Sequence, residues 1–201
     1  MKMRIYASFV ILTVPLLAQI PGVPKPRDAW QNPNQVISAL QFSPSENVAW
    51  VESGYPYFAP RIVPLVKKVY AVNTDPRAFQ GQGMLPPGVI PIVSTTSDPN
   101  VASLSLDTII LVDVLQQQLI TSSIPYYLNV LAGLKPGGRL VIIDRNLPSV
   151  YPSSLVVSPA DLEQLLPLIG FNLTQEFTFL PYQYFLVFQL CPCSSQATTK
   201  N

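Results

Sequence analysis

The chain contains no histidine. The commonest metal ligand and the commonest general base at neutral pH are therefore both missing. Charge is scarce as well, with 11% charged residues and twelve bases nearly balancing eleven acids. Without a basic run, nothing favours nucleic acid as a partner. Cysteine is limited to Cys191 and Cys193, in a Cys-Pro-Cys near the C-terminus. A lone C-x-C with no second pair and no histidine is a poor zinc site, so no metal is expected. In an oxidising compartment these thiols are open to pairing with each other under strain, or with another chain; the plain alternative is two thiols in a loose tail. Proline, in contrast, is abundant at 22 residues. That excludes a continuous helical bundle, because each interior proline costs a helix roughly 3 kcal/mol. At 201 residues the chain is long enough to bury the core of one domain.

The first residues have the pattern of an export signal. Lys2 and Arg4 supply positive charge, residues 5–17 are almost wholly apolar, and Ala18 is a small residue suited to a cleavage site. The apolar stretch falls short of the about 20 residues that a membrane span needs. The expectation is a signal peptide over residues 1–18 and an exported protein, periplasmic or secreted, with no stable membrane span after cleavage. An uncleaved anchor or a buried first helix is the alternative. Residues 19–28 are proline-rich and read as an extended linker. The folded domain is expected over 29–190, with a flexible tail over 191–201.

Within the domain, strands and helices alternate. Residues 35–40 form a short helical pattern with Asn34 as its cap. Residues 47–51 are a continuous apolar strand, as expected where both faces are covered. The segment after Gly54 carries Pro56, Pro60 and Pro64, which predicts a short or kinked helix. Further strands are predicted over 68–72, 89–93, 106–112 and 139–143. A weak helix is predicted over 75–84 and an amphipathic one over 120–134. Lys135-Pro136-Gly137-Gly138 is a sharp turn, and Ser158-Pro159 starts a helix that ends at Gly170. Residues 171–179 and 184–190 read as an antiparallel hairpin. The fold class is therefore α/β: a mostly parallel sheet with one antiparallel strand and helices on both faces.

Several stretches, in this order, resemble class I S-adenosylmethionine-dependent methyltransferases, which have a seven-stranded Rossmann-like sheet. They are Trp30-Gln31-Asn32-Pro33, Val69-Tyr70-Ala71-Val72-Asn73-Thr74-Asp75-Pro76 and Leu106-Asp107-Thr108-Ile109-Ile110-Leu111-Val112-Asp113-Val114. The most specific is Leu134-Lys135-Pro136-Gly137-Gly138-Arg139-Leu140-Val141-Ile142-Ile143-Asp144. Gly170-Phe171 and Leu180-Pro181-Tyr182-Gln183-Tyr184-Phe185 fit as well. The likeness spans roughly residues 29–189. It implies S-adenosylmethionine as cofactor, with Ser53, Gly54, Asn73, Asp75, Asp98 and Asp113 as the positions that would touch it. No residue stands out as a general base.

The binding loop departs from the family pattern, acid-x-Gly-x-Gly-x-Gly. The run here is Trp50-Val51-Glu52-Ser53-Gly54-Tyr55-Pro56. The acid is Trp50, the first glycine is Glu52, the third is Pro56, and Gly54 alone matches. Glu52 adds bulk and negative charge near where the cofactor's carboxylate would lie, and Pro56 removes an N–H. The acid at the end of the second strand is Asn73; a neutral acceptor in place of a charged one weakens binding about tenfold. Beyond Asp113, Gln116 and Gln117 stand where relatives carry histidines. Two readings follow. One is a methyltransferase by descent with impaired cofactor binding and catalysis. The other is a non-catalytic exported binding or interaction domain with an unknown small-molecule or protein partner. Trp50, Tyr55, Tyr57 and Phe58 either line a reshaped pocket or fill the core. A cleft filled by Trp50 or Tyr55 would favour the binding module.

Overall fold

A computed structural model describes residues 26–80, 85–115, 123–146 and 157–191. The expected signal peptide, most of the linker, Gln116, Gln117 and Cys193 lie outside the described residues. The elements in chain order are α1 (Arg27–Gln31), α2 (Pro33–Leu40), β1 (Asn47–Glu52), α3 (Ala59–Ile62), β2 (Lys68–Asn73), β3 (Val89–Val93), β4 (Leu106–Val112), α4 (Ser123–Gly133), β5 (Leu134–Arg145), α5 (Pro159–Leu165), β6 (Phe171–Phe177) and β7 (Gln183–Leu190).

The seven strands form one sheet in the order β3-β2-β1-β4-β5-β7-β6. Every pairing from β3 to β5 is parallel, and β7 runs antiparallel to both β5 and β6. Six strands thus point one way and β7 the other, as the strand–helix alternation with a terminal hairpin predicts. The order reverses between β1 and β4. At that switch point the two outgoing connections leave on opposite faces, which opens a crevice at the carboxyl ends of the strands.

Strand periodicity divides the core between the two faces. On one face, Ala49 and Val51 of β1, Ile109 and Leu111 of β4 and Leu140 and Ile142 of β5 pack with Tyr126, Tyr127 and Val130 of α4 and Leu162 of α5. On the other, Val48 and Trp50, Ile110 and Val112, and Val141 and Ile143 pack with Val36 and Leu40 of α2 and Phe58, Ala59 and Ile62 at α3. This double cover explains why the central strands are unbroken apolar runs.

Several local expectations need correction. α1 begins at Arg27, inside the stretch read as an extended linker to residue 28. The cap of α2 is Asn32, not Asn34; it is left-handed (φ 44°), with Pro33 in the first turn, where no N–H is needed. The three prolines after Gly54 shorten α3 to four residues, followed by a 3-10 turn over Val63–Leu65. Only a 3-10 turn, Pro76–Phe79, follows Asp75 among the described residues. Lys135-Pro136-Gly137-Gly138 lies within β5 as a bulge: pairing with β4 jumps from Leu106–Leu134 to Thr108–Arg139. Gly137 supplies the positive φ of 75° that this excursion requires. Cys191, assigned to the tail, still donates its N–H to Gly170 O at 2.9 Å.

Candidate functional site

β1 delivers Glu52 to the crevice. Its side chain shares the face of Trp50 and Val48, because residues two apart point the same way. Glu52 is 3% exposed. Its Oε2 lies 3.1 Å from Arg27 Nη2, and its Oε1 accepts the N–H of Tyr57. Burial pushes the carboxyl up to about 7, against the pull of Arg27 and the N–H of Phe58. The chain then turns through Ser53 and Gly54, where Gly54 has φ 77°. Pro56 and Phe58 are buried beyond it. Trp50 and Phe58 stack with ring centres 4.6 Å apart. Both rings are core, filling space beside the turn rather than lining a cleft.

Asn73, at the end of β2, holds this turn from the side. Its Nδ2 donates to Glu52 O (2.6 Å) and Gly54 O (2.8 Å), and its Oδ1 accepts the N–H of Asp75 (2.8 Å). Both ends of the amide are thereby engaged. Asp75 faces outward and pairs with Arg77, whose Nη2 lies 2.9 Å from Oδ2; these bonds hold the Asp75 carboxyl below its usual range. Asp98 belongs to the loop after β3, where its Oδ1 accepts the N–H of Asn100 (2.7 Å) and its own N–H donates to Thr95 Oγ1 (2.9 Å).

Asp113, just past β4, adopts φ 52° and sits at the centre of a second polar group. Its Oδ1 accepts from Gln183 Nε2 (2.9 Å), and its Oδ2 receives a 3.4 Å bond from Gln31 Nε2. Arg145 Nε stands 3.7 Å from Oδ1. Burial raises the Asp113 carboxyl, opposed by the Gln183 bond and then by the two arginines. On the opposite face Asp144 accepts the N–H groups of Leu115 (3.0 Å) and Arg145 (2.7 Å), and burial still pushes it up to about 6.

Of the six positions taken from the resemblance, the structure joins Gly54 and Asn73 in one network around the β1 turn, with Ser53 between Glu52 and Gly54. Asp113 lies across the switch point, linked to α1 through Gln31. Asp75 and Asp98 are engaged within their own loops. Sequence reasoning does not reach Arg27, Gln31, Arg145 and Gln183 as site residues. Arg27 and Gln183 meet their partners across 25 and 70 positions of sequence, so no local spacing marks them. The available signal is indirect: Gln31 and Gln183 both lie inside segments that carry the resemblance. Among the described residues, no group of three or more Cys, Asp or Glu side chains is placed to hold a metal ion.

No protein-family model matches the chain, and no curated protein matches it in sequence. Solved structures match in shape. A SAM-dependent methyltransferase from Aquifex aeolicus is 16% identical with a TM-score of 0.69, over 82% of this chain and 92% of that one. The N-methyltransferase NodS from Bradyrhizobium japonicum is 15% identical with a TM-score of 0.63, over 82% and 96%. The trans-methyltransferase CalH, solved in complex with SAH, is 16% identical with a TM-score of 0.60, over 74% and 52%.

The residues present fit S-adenosylmethionine poorly. The amide of Asn73 donates to two carbonyls and accepts an N–H, Asp75 is paired with Arg77, and the Glu52 carboxyl is buried at the turn. The sheet order, the single antiparallel strand and the structural matches together show that this chain has the fold of the class I S-adenosylmethionine-dependent methyltransferases.

Proposed function

We propose that this chain is methyltransferase-like by descent, that its cofactor binding and catalysis are impaired, and that the fold now serves as a non-catalytic binding module. The observation that carries this reading is the engagement of Asn73. For its Nδ2 to serve a ligand it must release Glu52 O or Gly54 O, two carbonyls that define the turn, and its Oδ1, already taken by the Asp75 N–H, keeps one lone pair for a hydroxyl donor. Each released bond costs about 0.5–1.5 kcal/mol, so ligand contact at this point gains little. The apolar N-terminal segment supports an exported location, away from the cytoplasm where S-adenosylmethionine is made.

A second reading keeps a functional cofactor site of low affinity. It draws on the fold likeness and on the open space around Gly54, where a Cβ would meet no atom within 4 Å beyond its chain neighbours. Calorimetric titration of residues 19–201 with S-adenosylmethionine and its demethylated product separates the two. No heat and no thermal shift at millimolar ligand is the expected result. Micromolar binding would overturn the module reading and direct attention to methyl acceptors.

A further inference from the structure

On the face of the sheet opposite Glu52, α4 is apolar on both of its own sides. Its eleven residues, Ser123–Gly133, contain no charged side chain. Tyr126, Tyr127 and Val130 are buried against the sheet. The outward row is apolar as well: Ile124 is 51% exposed and Leu128 47%, and Ala132 continues the row at the same spacing of four. A helix that is apolar all round belongs in an interior, not at a surface.

The apolar surface continues beyond the helix. Leu104, 61% exposed, donates its N–H to Ala132 O at 2.9 Å, and the Ser105 N–H donates to Gly133 O at 3.1 Å. Past Leu104, a cavity of about 180 Å³ opens between Tyr70 and Ile92 of the sheet and Val101, Ala102 and Ser105 of the loop. The connection from β3 to β4 has no helix to cover this side of the two edge strands. Ile90, which faces the same way as Ile92, is therefore 41% exposed.

Charge narrows what can lie on this surface. From Ala78 to Leu134 the sequence has no base and three acids. Asp107 pairs with Lys135 at the amino end of the sheet, and Asp113 bonds to Gln183 on the opposite face, which leaves Asp98 beside the apolar row. A helix that lies on a membrane flanks its apolar face with lysine and arginine. A charged protein partner needs opposing charges to orient it. This segment supplies neither. A second copy of the chain brings an equally neutral, apolar row, so the two can pack without desolvating a charge. We propose that this face is a self-association surface through which two copies pair about a two-fold axis, with the row of Ile124, Leu128 and Ala132 at its centre and Leu104 and the cavity at its rim. The row spans about 12 Å of helix. That puts the contact at the small end of specific interfaces, so pairing is reversible, with a Kd on the order of 10 µM. The inference goes beyond the function proposed above and does not rest on it, because the surface lies across the sheet from Glu52.

The test is sedimentation velocity on the full chain from about 1 to about 200 µM, a range that brackets this affinity. The expected result is a concentration-dependent shift from monomer to dimer. Leu128→Glu should weaken pairing at least about tenfold, because the new carboxylates are desolvated near one another. Leu168→Glu is the control: Leu168 is 81% exposed in the turn before β6, by the other edge of the sheet, and this variant should pair as wild type does. Wild type that stays monomeric throughout would overturn the proposal and leave the face to a different protein. Association that Leu128→Glu leaves intact, or that both substitutions weaken equally, would also overturn it. Far-ultraviolet dichroism establishes that each variant is folded; if Leu128→Glu is not, Ile124→Glu replaces it and the same outcomes decide.

Discussion

Glu52 and Asn73 govern the character of the site. The Glu52 carboxyl is raised by burial from 4.5 to about 7. A carboxyl with a raised native value holds its proton more tightly folded than unfolded. Its contribution is therefore fully present below about pH 4.5 and is lost as pH rises through 7. The loss on full ionisation is roughly 3 kcal/mol. Glu52→Gln removes that titration while leaving an oxygen to accept from Tyr57. Urea denaturation at pH 5, 6, 7 and 8 should show the variant gaining stability relative to wild type as pH rises; a constant difference would count against the buried, ionising Glu52. Asn73→Asp puts an acid at the end of β2, yet it should not create a cofactor site. Two donated bonds are lost, and a carboxylate is set 2.6–2.8 Å from two carbonyl oxygens. The expected outcome is a loss of roughly 2–4 kcal/mol with no gain in S-adenosylmethionine binding. Tight binding by this variant would mean that the turn reorganises freely.

At the scale of the element, two features of the sequence act as mechanical parts. The bulge in β5 depends on two glycines for different reasons. Gly137 needs its positive φ but has open space around it, whereas a Cβ at Gly138 would lie 2.9 Å from Lys135 O and 3.2 Å from Asp107 O. Backbone atoms cannot move aside as a flexible side chain can. Gly138→Ala is therefore expected to cost about 1–3 kcal/mol and to exceed Gly137→Ala, as read by chemical denaturation. The reverse order would show that the turn, not the close packing, is limiting. α5 begins with a capping box, in which Ser158 Oγ accepts the Asp161 N–H and the Asp161 carboxylate accepts the Ser158 N–H. Ser158→Ala should cost about 1 kcal/mol.

For the whole molecule, the decisive feature is one sheet covered on both faces. Parallel pairing ties β3 through β5 together, and β7 and β6 extend the same sheet. Trp50 lies on the interior strand β1, 1% exposed, paired in register with Ala71 on one side and Ile110 on the other. Trp50→Ala should cost about 3–5 kcal/mol through the cavity it leaves. Because the two core layers share every central strand, far-ultraviolet dichroism and near-ultraviolet dichroism should follow a single transition in denaturant. Separated transitions would indicate that the β6–β7 hairpin is an independent unit.

Composition and periodicity pointed to the α/β class, because short apolar runs between turn residues, alternating with helical patterns, suit the strands of a covered sheet; the edge strand β3 is such a run too, yet only its Val89 is buried. β3 and β4 are read to the residue, since Pro86, Pro87 and Gly88 on one side and Asp113 on the other bound them sharply. Helix starts were less legible: the sequence pointed to Asn34 as the cap, whereas α2 starts from Asn32, because Pro33 takes the first helical position. The turn after β1 was readable as chemistry, residue by residue. Its consequence was not, because whether Glu52 faces solvent or a partner depends on what lies over the crevice. Only the tertiary structure brought Arg27 and Gln31 onto Glu52 and Asp113, and Gln183 beside Asp113 from 70 positions away. Local spacing carries information about backbone state. Contacts made by strand ends from opposite parts of the chain follow from sheet order, which chain-length entropy and packing settle together and no single segment encodes.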